Sequence, residues 1–109
     1  MYEDKVVLCG ANAYETKYYL NPDFDSLPEH IKNELKIMCV LYTQEVGGIL
    51  TLVFEENGSL CFEVTSQETD LMFDEIGSGL KIKELQRTKE ELMQSLEMYY
   101  KVFFLGEDI

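Results

Sequence analysis

The strongest constraint in this sequence is a β-hairpin pattern over residues 48–66. Apolar and polar residues alternate on both sides of Asn57-Gly58, and the two apolar sets are Leu50, Leu52 and Phe54, then Leu60, Phe62 and Val64. A register slip of one residue would move a whole set to the opposite face of the sheet. A three-residue loop, with Gly58 left-handed, sets Phe54 opposite Leu60, whereas a two-residue loop does not. The pattern therefore predicts a hairpin with a three-residue loop and one buried apolar face.

A helix is predicted over residues 27–46, before this hairpin. Ser26 and Glu29 have the spacing of a capping box, and Gly47-Gly48 provides a helix stop. Apolar residues recur between them at helical spacing, at Ile31, Leu35, Met38, Cys39, Tyr42 and Val46. Residues 37–42 alone are also compatible with a short buried strand, because periodicity does not assign so short an apolar run. The single cap and single stop favour one helix.

The chain after the hairpin predicts one long helix, from about Asp74 to Leu105. Its apolar stripe consists of Ile82, Leu85, Leu92, Leu96, Tyr99 and Phe103. Gly77-Ser78-Gly79 interrupts its start, and Ser78 is the predicted N-cap residue. This motif lacks the spacing of known phosphate-binding loops, and the adjacent Asp74 and Glu75 would repel a phosphate. The sequence leaves the role of the two glycines open.

The N-terminal segment predicts two strands, at residues 5–9 and 14–20, joined by a turn at 10–13. The element order is then β-β-α-β-β-α. We expect an α+β fold in which one antiparallel sheet carries two helices packed on one face. The length of 109 residues fits one domain, spanning residues 1–109.

The charge balance limits the classes of partner. The chain has 21 Asp and Glu residues against nine Lys and Arg residues, for a net charge of −12. This potential repels nucleic acid and anionic membrane surfaces, and it allows a basic protein partner or a cation. No apolar run is long enough to span a membrane, and the N-terminus does not resemble a signal peptide. We therefore expect a cytoplasmic protein.

Residues that carry chemistry do not form a recognisable constellation. His30 is the single histidine, and Cys9, Cys39 and Cys61 have no metal-ligand spacing. Each cysteine has apolar neighbours, which predicts packed thiols that react slowly. Adjacent acidic residues, such as Glu90-Glu91, diverge from each other on a helix. The sequence thus predicts no catalytic residues, no cofactor and no metal site.

The end of the last helix is apolar on nearly every side. Lys101 is the only charged residue between Met98 and Leu105. A small two-layer domain cannot surround such a helix, and tyrosine is common at protein interfaces. We therefore predict a homodimer whose interface contains Tyr99, Tyr100, Val102, Phe103 and Phe104. Burial against the N-terminal hairpin of the same chain is the alternative.

Several segments together resemble an uncharacterised family of short acidic proteins from clostridial-type gut bacteria. They are residues 27–49, 54–58 and 74–80, and Tyr99-Tyr100. The resemblance covers nearly the whole chain. It implies a bacterial cytosolic protein made of one domain of unknown function, with no assigned activity and no catalytic residue.

These observations predict a non-enzymatic interaction or regulatory protein that forms a homodimer. The alternative is a small-ligand-binding or enzymatic domain with a pocket between the sheet and the helices. A buried carboxylate with a strongly shifted pKa in a deep pocket would favour the alternative.

Overall fold

The fold is α+β, with one four-stranded antiparallel sheet and three helices. The computed structural model describes residues 5–107. The strands are β1 (Val6–Asn12), β2 (Lys17–Leu20), β3 (Ile49–Phe54) and β4 (Leu60–Thr65), in the spatial order β2-β1-β3-β4. The helices are α1 (Glu29–Val46), α2 (Glu75–Thr88) and α3 (Glu90–Phe103), and a short 3-10 helix covers Pro22–Phe24. The antiparallel sheet is as predicted, but three helices replace the expected two.

The β3-β4 hairpin has the predicted register. Phe54 lies opposite Leu60, and Leu52 lies opposite Phe62. The N–H of Glu55 donates to the carbonyl of Ser59 (2.8 Å), which closes a three-residue loop over 56–58. Gly58 has φ of +91°, the left-handed conformation that the bulged loop requires. The apolar face of β3 is fully buried, whereas that of β4 is half-buried because β4 is an edge strand.

The core lies between one face of the sheet and the helices. Leu8, Leu52 and Phe54 of the sheet are inaccessible to solvent, as are Leu35 and Tyr42 of α1. Helices α2 and α3 add Leu85, Leu92, Met93, Leu96 and Tyr100 to the same core. The opposite face of the sheet exposes Val7, Tyr19 and Glu63.

The first turn lies later in the chain than predicted. Strand β1 continues through Gly10 to Asn12, and the turn covers residues 13–16. A Cβ at Gly10 would lie 2.8 Å from the carbonyl oxygen of Leu50, so glycine serves close strand packing here and not a turn. The side chain of Asn12 makes the turn, by accepting the N–H groups of Tyr14 (2.9 Å) and Glu15 (3.2 Å).

Helix α1 is continuous through residues 37–42, so the strand alternative is wrong. Its predicted capping box is also wrong. The helix begins at Glu29, with Pro28 at the N-cap position and no capping side chain. The Ser26 hydroxyl is instead hydrogen-bonded to the hydroxyl of Tyr99 (2.8 Å).

The long C-terminal helix is divided into two at Lys89, whose φ and ψ are −111° and 21°. The sequence could not show this break, because Lys89 N–H still donates to Leu85 and Met93 N–H still donates to Lys89. The apolar periodicity therefore continues across it.

The N-cap of α2 is Asp74, whose carboxylate accepts the N–H of Gly77 (2.9 Å). The predicted N-cap, Ser78, is buried inside the helix.

Candidate interaction surfaces

The five predicted interface residues at the end of α3 occupy different environments. Tyr100 is only 4% exposed, and Tyr99 is half-buried. Val102 and Phe104 are partly exposed, at 36% and 39%, whereas Phe103 is 72% exposed. Helix α3 therefore brings some of the predicted set to the surface and buries the rest.

A stack of aromatic rings accounts for the buried part of this set. Tyr100 stacks on Phe54 of β3, with ring centroids 4.2 Å apart and planes within 7°. Phe104 stacks on Phe24 at 4.7 Å and on Tyr100 at 5.1 Å. Burial raises the pKa of Tyr100. Intrachain packing, mainly against Phe24 and β3, thus explains Tyr100 and one side of Phe104.

An apolar patch remains uncovered on the other side of this helix end. We call it the C-terminal patch, and it consists of Met98, Val102, Phe103 and Leu105. Met98 and Val102 are four residues apart and share one helix face. The Phe103 ring lies against the Tyr99 ring, with centroids 4.9 Å apart, but its outer side faces solvent.

A second apolar surface lies between α1 and α2. Ile37 and Leu41 of α1 are exposed one helical turn apart, beside a groove of about 430 Å³ whose lining includes Met38, Tyr42 and Leu85. Two ion pairs cross between the helices, Lys81 with Glu45 (2.9 Å) and Lys89 with Glu34 (3.2 Å). The bonds of Lys81 with Glu45 and Glu84 raise its pKa. This groove is apolar at its centre and charge-neutralised at its ends.

The most exposed apolar side chains lie near the start of α2. Leu71 and Met72 in the preceding loop are 90% and 91% exposed, and Ile76 and Leu80 follow in the helix. Met72 and Leu80 border a cleft that shares Glu45 and Lys81 with the α1-α2 groove. The sequence pattern does not predict this surface, because Leu71 and Met72 lie between the predicted hairpin and the predicted helix.

A third groove, of about 480 Å³, lies between the edge strand β4 and α2. Its apolar lining consists of Phe62, Val64, Phe73 and Ile82. Gly79 and Lys83 of α2 border it as well.

The thiols occupy two environments. The Cys9 and Cys39 sulfur atoms lie 3.9 Å apart and are inaccessible to solvent, as predicted for packed cysteines. Contact with Cys9 and burial raise the pKa of the Cys39 thiol. Cys61 is half-exposed on the outer face of the sheet, where its thiol donates to Glu55 (3.4 Å). The pKa of the Cys61 thiol is raised, mainly by burial and to a smaller extent by this bond.

A small cleft of about 310 Å³ separates β2 from α1. Its lining includes Lys17, Lys36 and the ring of Tyr18, and contains no acidic residue. The Tyr18 hydroxyl is buried, and it has no hydrogen-bond partner in residues 5–107. Burial and the neighbouring Cys9 thiol raise the pKa of Tyr18.

No cluster of three or more His, Cys, Asp and Glu side chains within residues 5–107 is arranged to hold a metal ion. Of the helices described, none has the length and apolar character needed to cross a membrane.

Comparison with known proteins gives one match. A family model described as a family of unknown function (DUF6145) matches residues 5–108. Neither a curated protein nor a solved structure matches the chain.

Proposed function

The chain belongs to DUF6145, a family of unknown function, and we propose that it is a non-enzymatic interaction protein that forms a homodimer through the C-terminal patch. The observation that carries this proposal is the exposure of Phe103 within a group of apolar side chains. Phe103 is 72% exposed, and Met98, Val102 and Leu105 extend the apolar surface around it. Exposed apolar patches of this kind mark interfaces more often than free surface.

Twofold pairing is the simplest way to cover such a patch. A twofold interface needs only one self-complementary surface, and it is the commonest arrangement of soluble oligomers. In a dimer, each Phe103 ring would pack on apolar groups of the partner copy instead of facing water. Tyr100 plays no direct part, because it already belongs to the aromatic stack within the chain.

The net charge opposes association only weakly. Each copy brings a charge of −12, but Lys101 is the only charged residue from Met98 to Leu105. The screening length is about 8 Å at physiological salt, so carboxylates farther away repel each other little. The dimer should therefore be held by apolar contacts and should persist when salt is raised.

Analytical ultracentrifugation at micromolar concentration tests the proposal. We expect about twice the 12.7 kDa chain mass, at both low and high salt. Phe103→Glu should give the monomer mass, because a buried charge without a partner is strongly unfavourable. Leu71→Glu is the control, because Leu71 is a still more exposed apolar residue (90%) that lies outside the C-terminal patch, and this change should leave the dimer intact. A wild-type monomer, or a dimer lost only in Leu71→Glu, would refute the proposal.

A small-ligand-binding function is the second candidate, and one observation favours it. The β2-α1 cleft has Lys17 and Lys36 but no carboxylate in its lining, although the chain is strongly acidic. Such a cleft would suit a small anion. Glu84 has a lowered pKa because it is bonded to Lys81, but it lies at the surface and does not line this cleft. Amide chemical shifts in a citrate titration would show a response at Lys17 and Lys36, and a response lost in Lys17→Gln, if this candidate is correct.

A further inference from the structure

We propose that the groove between β4 and α2 binds an extended, basic segment of a partner protein as a fifth strand of the sheet. The lining of this groove shares no residue with the C-terminal patch, so the inference does not depend on the homodimer. It combines three features: an open strand edge, an apolar groove beside that edge, and a glycine that keeps the groove open.

The hydrogen-bonding register shows that the β4 edge is open at Phe62 and Val64. Glu55 and Ser59 form a hydrogen-bonded pair, and such pairs alternate along an antiparallel ladder. The N–H and C=O groups of Leu60, Phe62 and Val64 therefore point away from β3. The N–H of Leu60 confirms this direction, because it donates to the carboxylate of Glu97 (2.8 Å) outside the sheet. At Phe62 and Val64, no residue in 5–107 bonds the outward backbone groups.

The side chains beside this edge match an added strand. Phe62 and Val64 are half-buried, and with Phe73 and Ile82 they line the groove. In a strand added to β4, every second side chain would point into this groove and the others would point to the outer face of the sheet. Backbone bonds would then supply the affinity, and the apolar groove would select the alternate side chains.

Gly79 is the residue that the fold does not require. Gly77 is needed because a Cβ there would overlap the Asp74 carboxylate, and Ser78 is bonded to the buried hydroxyl of Tyr42. A Cβ at Gly79 would meet nothing within 4 Å, although glycine is unfavourable inside a helix. Its position on the groove gives it a role, because the missing side chain lets another chain approach α2 closely.

The charges favour a basic segment over a second copy of β4. The chain carries a net charge of −12. Glu75 and Lys83 line the groove and Glu97 lies beside the strand edge, so two carboxylates accompany one basic side chain there. Strand β4 itself has Glu63 and no basic residue on its outer face, so a paired copy would add like charge. A segment in which lysine or arginine alternates with apolar residues would place its apolar side chains in the groove and its positive charges in the negative potential of the domain.

The probe that tests this is a capped, fluorescently labelled (Lys-Val)4 peptide, with anisotropy as the measure of binding to the full chain. We expect saturable binding that slows amide exchange at Phe62 and Val64. The same peptide with alternate N-methylated amides keeps its charge but cannot complete the ladder, and it should bind at least tenfold more weakly. An acidic (Glu-Val)4 peptide should also bind at least tenfold more weakly.

Variants of α2 provide the matched comparison. Gly79→Leu should weaken binding at least tenfold and leave the fold intact, because leucine is the better helix former and has room there. Leu80→Ala, on the neighbouring position but outside this groove, should bind as the wild type does. No binding, equal binding by the N-methylated or acidic peptide, or an unaffected Gly79→Leu variant would overturn the proposal. Concentration-dependent protection of Phe62 and Val64 without peptide would assign the edge to a second copy and also overturn it.

Discussion

Tyr42 and Ser78 join α1 to α2 through a buried hydroxyl pair, with the two oxygens 2.5 Å apart. Ser78→Ala would leave the Tyr42 hydroxyl without a partner away from water. We expect this to lower the free energy of unfolding by about 1–3 kcal/mol, the cost of an unsatisfied buried group. The double variant Tyr42→Phe with Ser78→Ala should recover part of the loss in urea unfolding. A double variant less stable than both single ones would show that the bond is not the main contribution.

Two phenylalanines on the same sheet face should differ in their contribution to stability. Phe54 is inaccessible to solvent, so Phe54→Ala should cost roughly 3–5 kcal/mol. Phe62 lies on the edge strand and is half-buried, so Phe62→Ala should cost about 1–2 kcal/mol, in proportion to the smaller area removed from water. Denaturant unfolding of both variants measures the difference, and equal losses would contradict it.

The three thiols should separate by labelling rate. Cys9 and Cys39 are inaccessible and should react only when the chain unfolds. Cys61 is half-exposed and should react in the native state, but more slowly than free cysteine, because burial and Glu55 raise its pKa and reduce the thiolate fraction. Glu55→Gln should therefore move the rate profile to lower pH. Intact-mass measurement of native labelling tests this, and a native label in Cys61→Ser would contradict it.

At the level of helices, the cap of α2 allows a direct comparison of an observed with a predicted N-terminus. Asp74 accepts the N–H of Gly77, so Asp74→Ala should cost about 1 kcal/mol, the usual contribution of an N-cap. Ser26 does not cap α1, and its hydroxyl bonds the hydroxyl of Tyr99 at an exposed position. Ser26→Ala should therefore cost less than Asp74→Ala in thermal unfolding. The reverse order would restore the capping box that the sequence predicts.

The elements that could be predicted are those encoded locally. The β3-β4 register follows from alternation and one left-handed glycine, and the structure has both. The break at Lys89 could not be predicted, because helical bonds and apolar periodicity continue across it. Ser78 was misassigned because capping preferences are local, whereas its partner, Tyr42, is 36 residues away.

The candidate surfaces show the same limit. Periodicity places Tyr99, Tyr100 and Phe103 on an apolar helix end, but it does not show which rings stack within the chain. The stack also depends on Phe24, which lies in a 3-10 helix that the sequence pattern does not predict. The one sequence feature that points to the β4-α2 groove is Gly79. It can be interpreted only when the register of β4 is known, because the register shows which backbone groups of the edge are unpaired.

Across the whole molecule, the shape and the charge act in opposite directions. The helices form one layer over the sheet and their outer sides are uncovered, so this 109-residue chain keeps apolar side chains such as Ile37, Leu80 and Phe103 at its surface. The net charge of −12 keeps copies apart except where a surface is apolar and free of carboxylates. The C-terminal patch and the centre of the α1-α2 groove meet that condition, and the β4 edge meets it only for a basic partner.

The same charge should make stability depend on salt. Self-repulsion among the excess carboxylates weakens as the screening length falls from about 30 Å at 0.01 M to about 8 Å at 0.15 M salt. Salt also weakens the ion pairs, such as Lys5 with Glu63 and Lys32 with Asp25, but exposed pairs contribute only about 0–1 kcal/mol each. We therefore expect the repulsion to dominate and the melting temperature to rise with sodium chloride.

The measurement should use Phe103→Glu at low concentration, so that dimer formation does not contribute. At pH near 4.3, the isoelectric point of the sequence, the net charge vanishes and the rise in melting temperature with salt should be lost. A melting temperature that falls with salt at pH 7 would show that the ion pairs outweigh the repulsion.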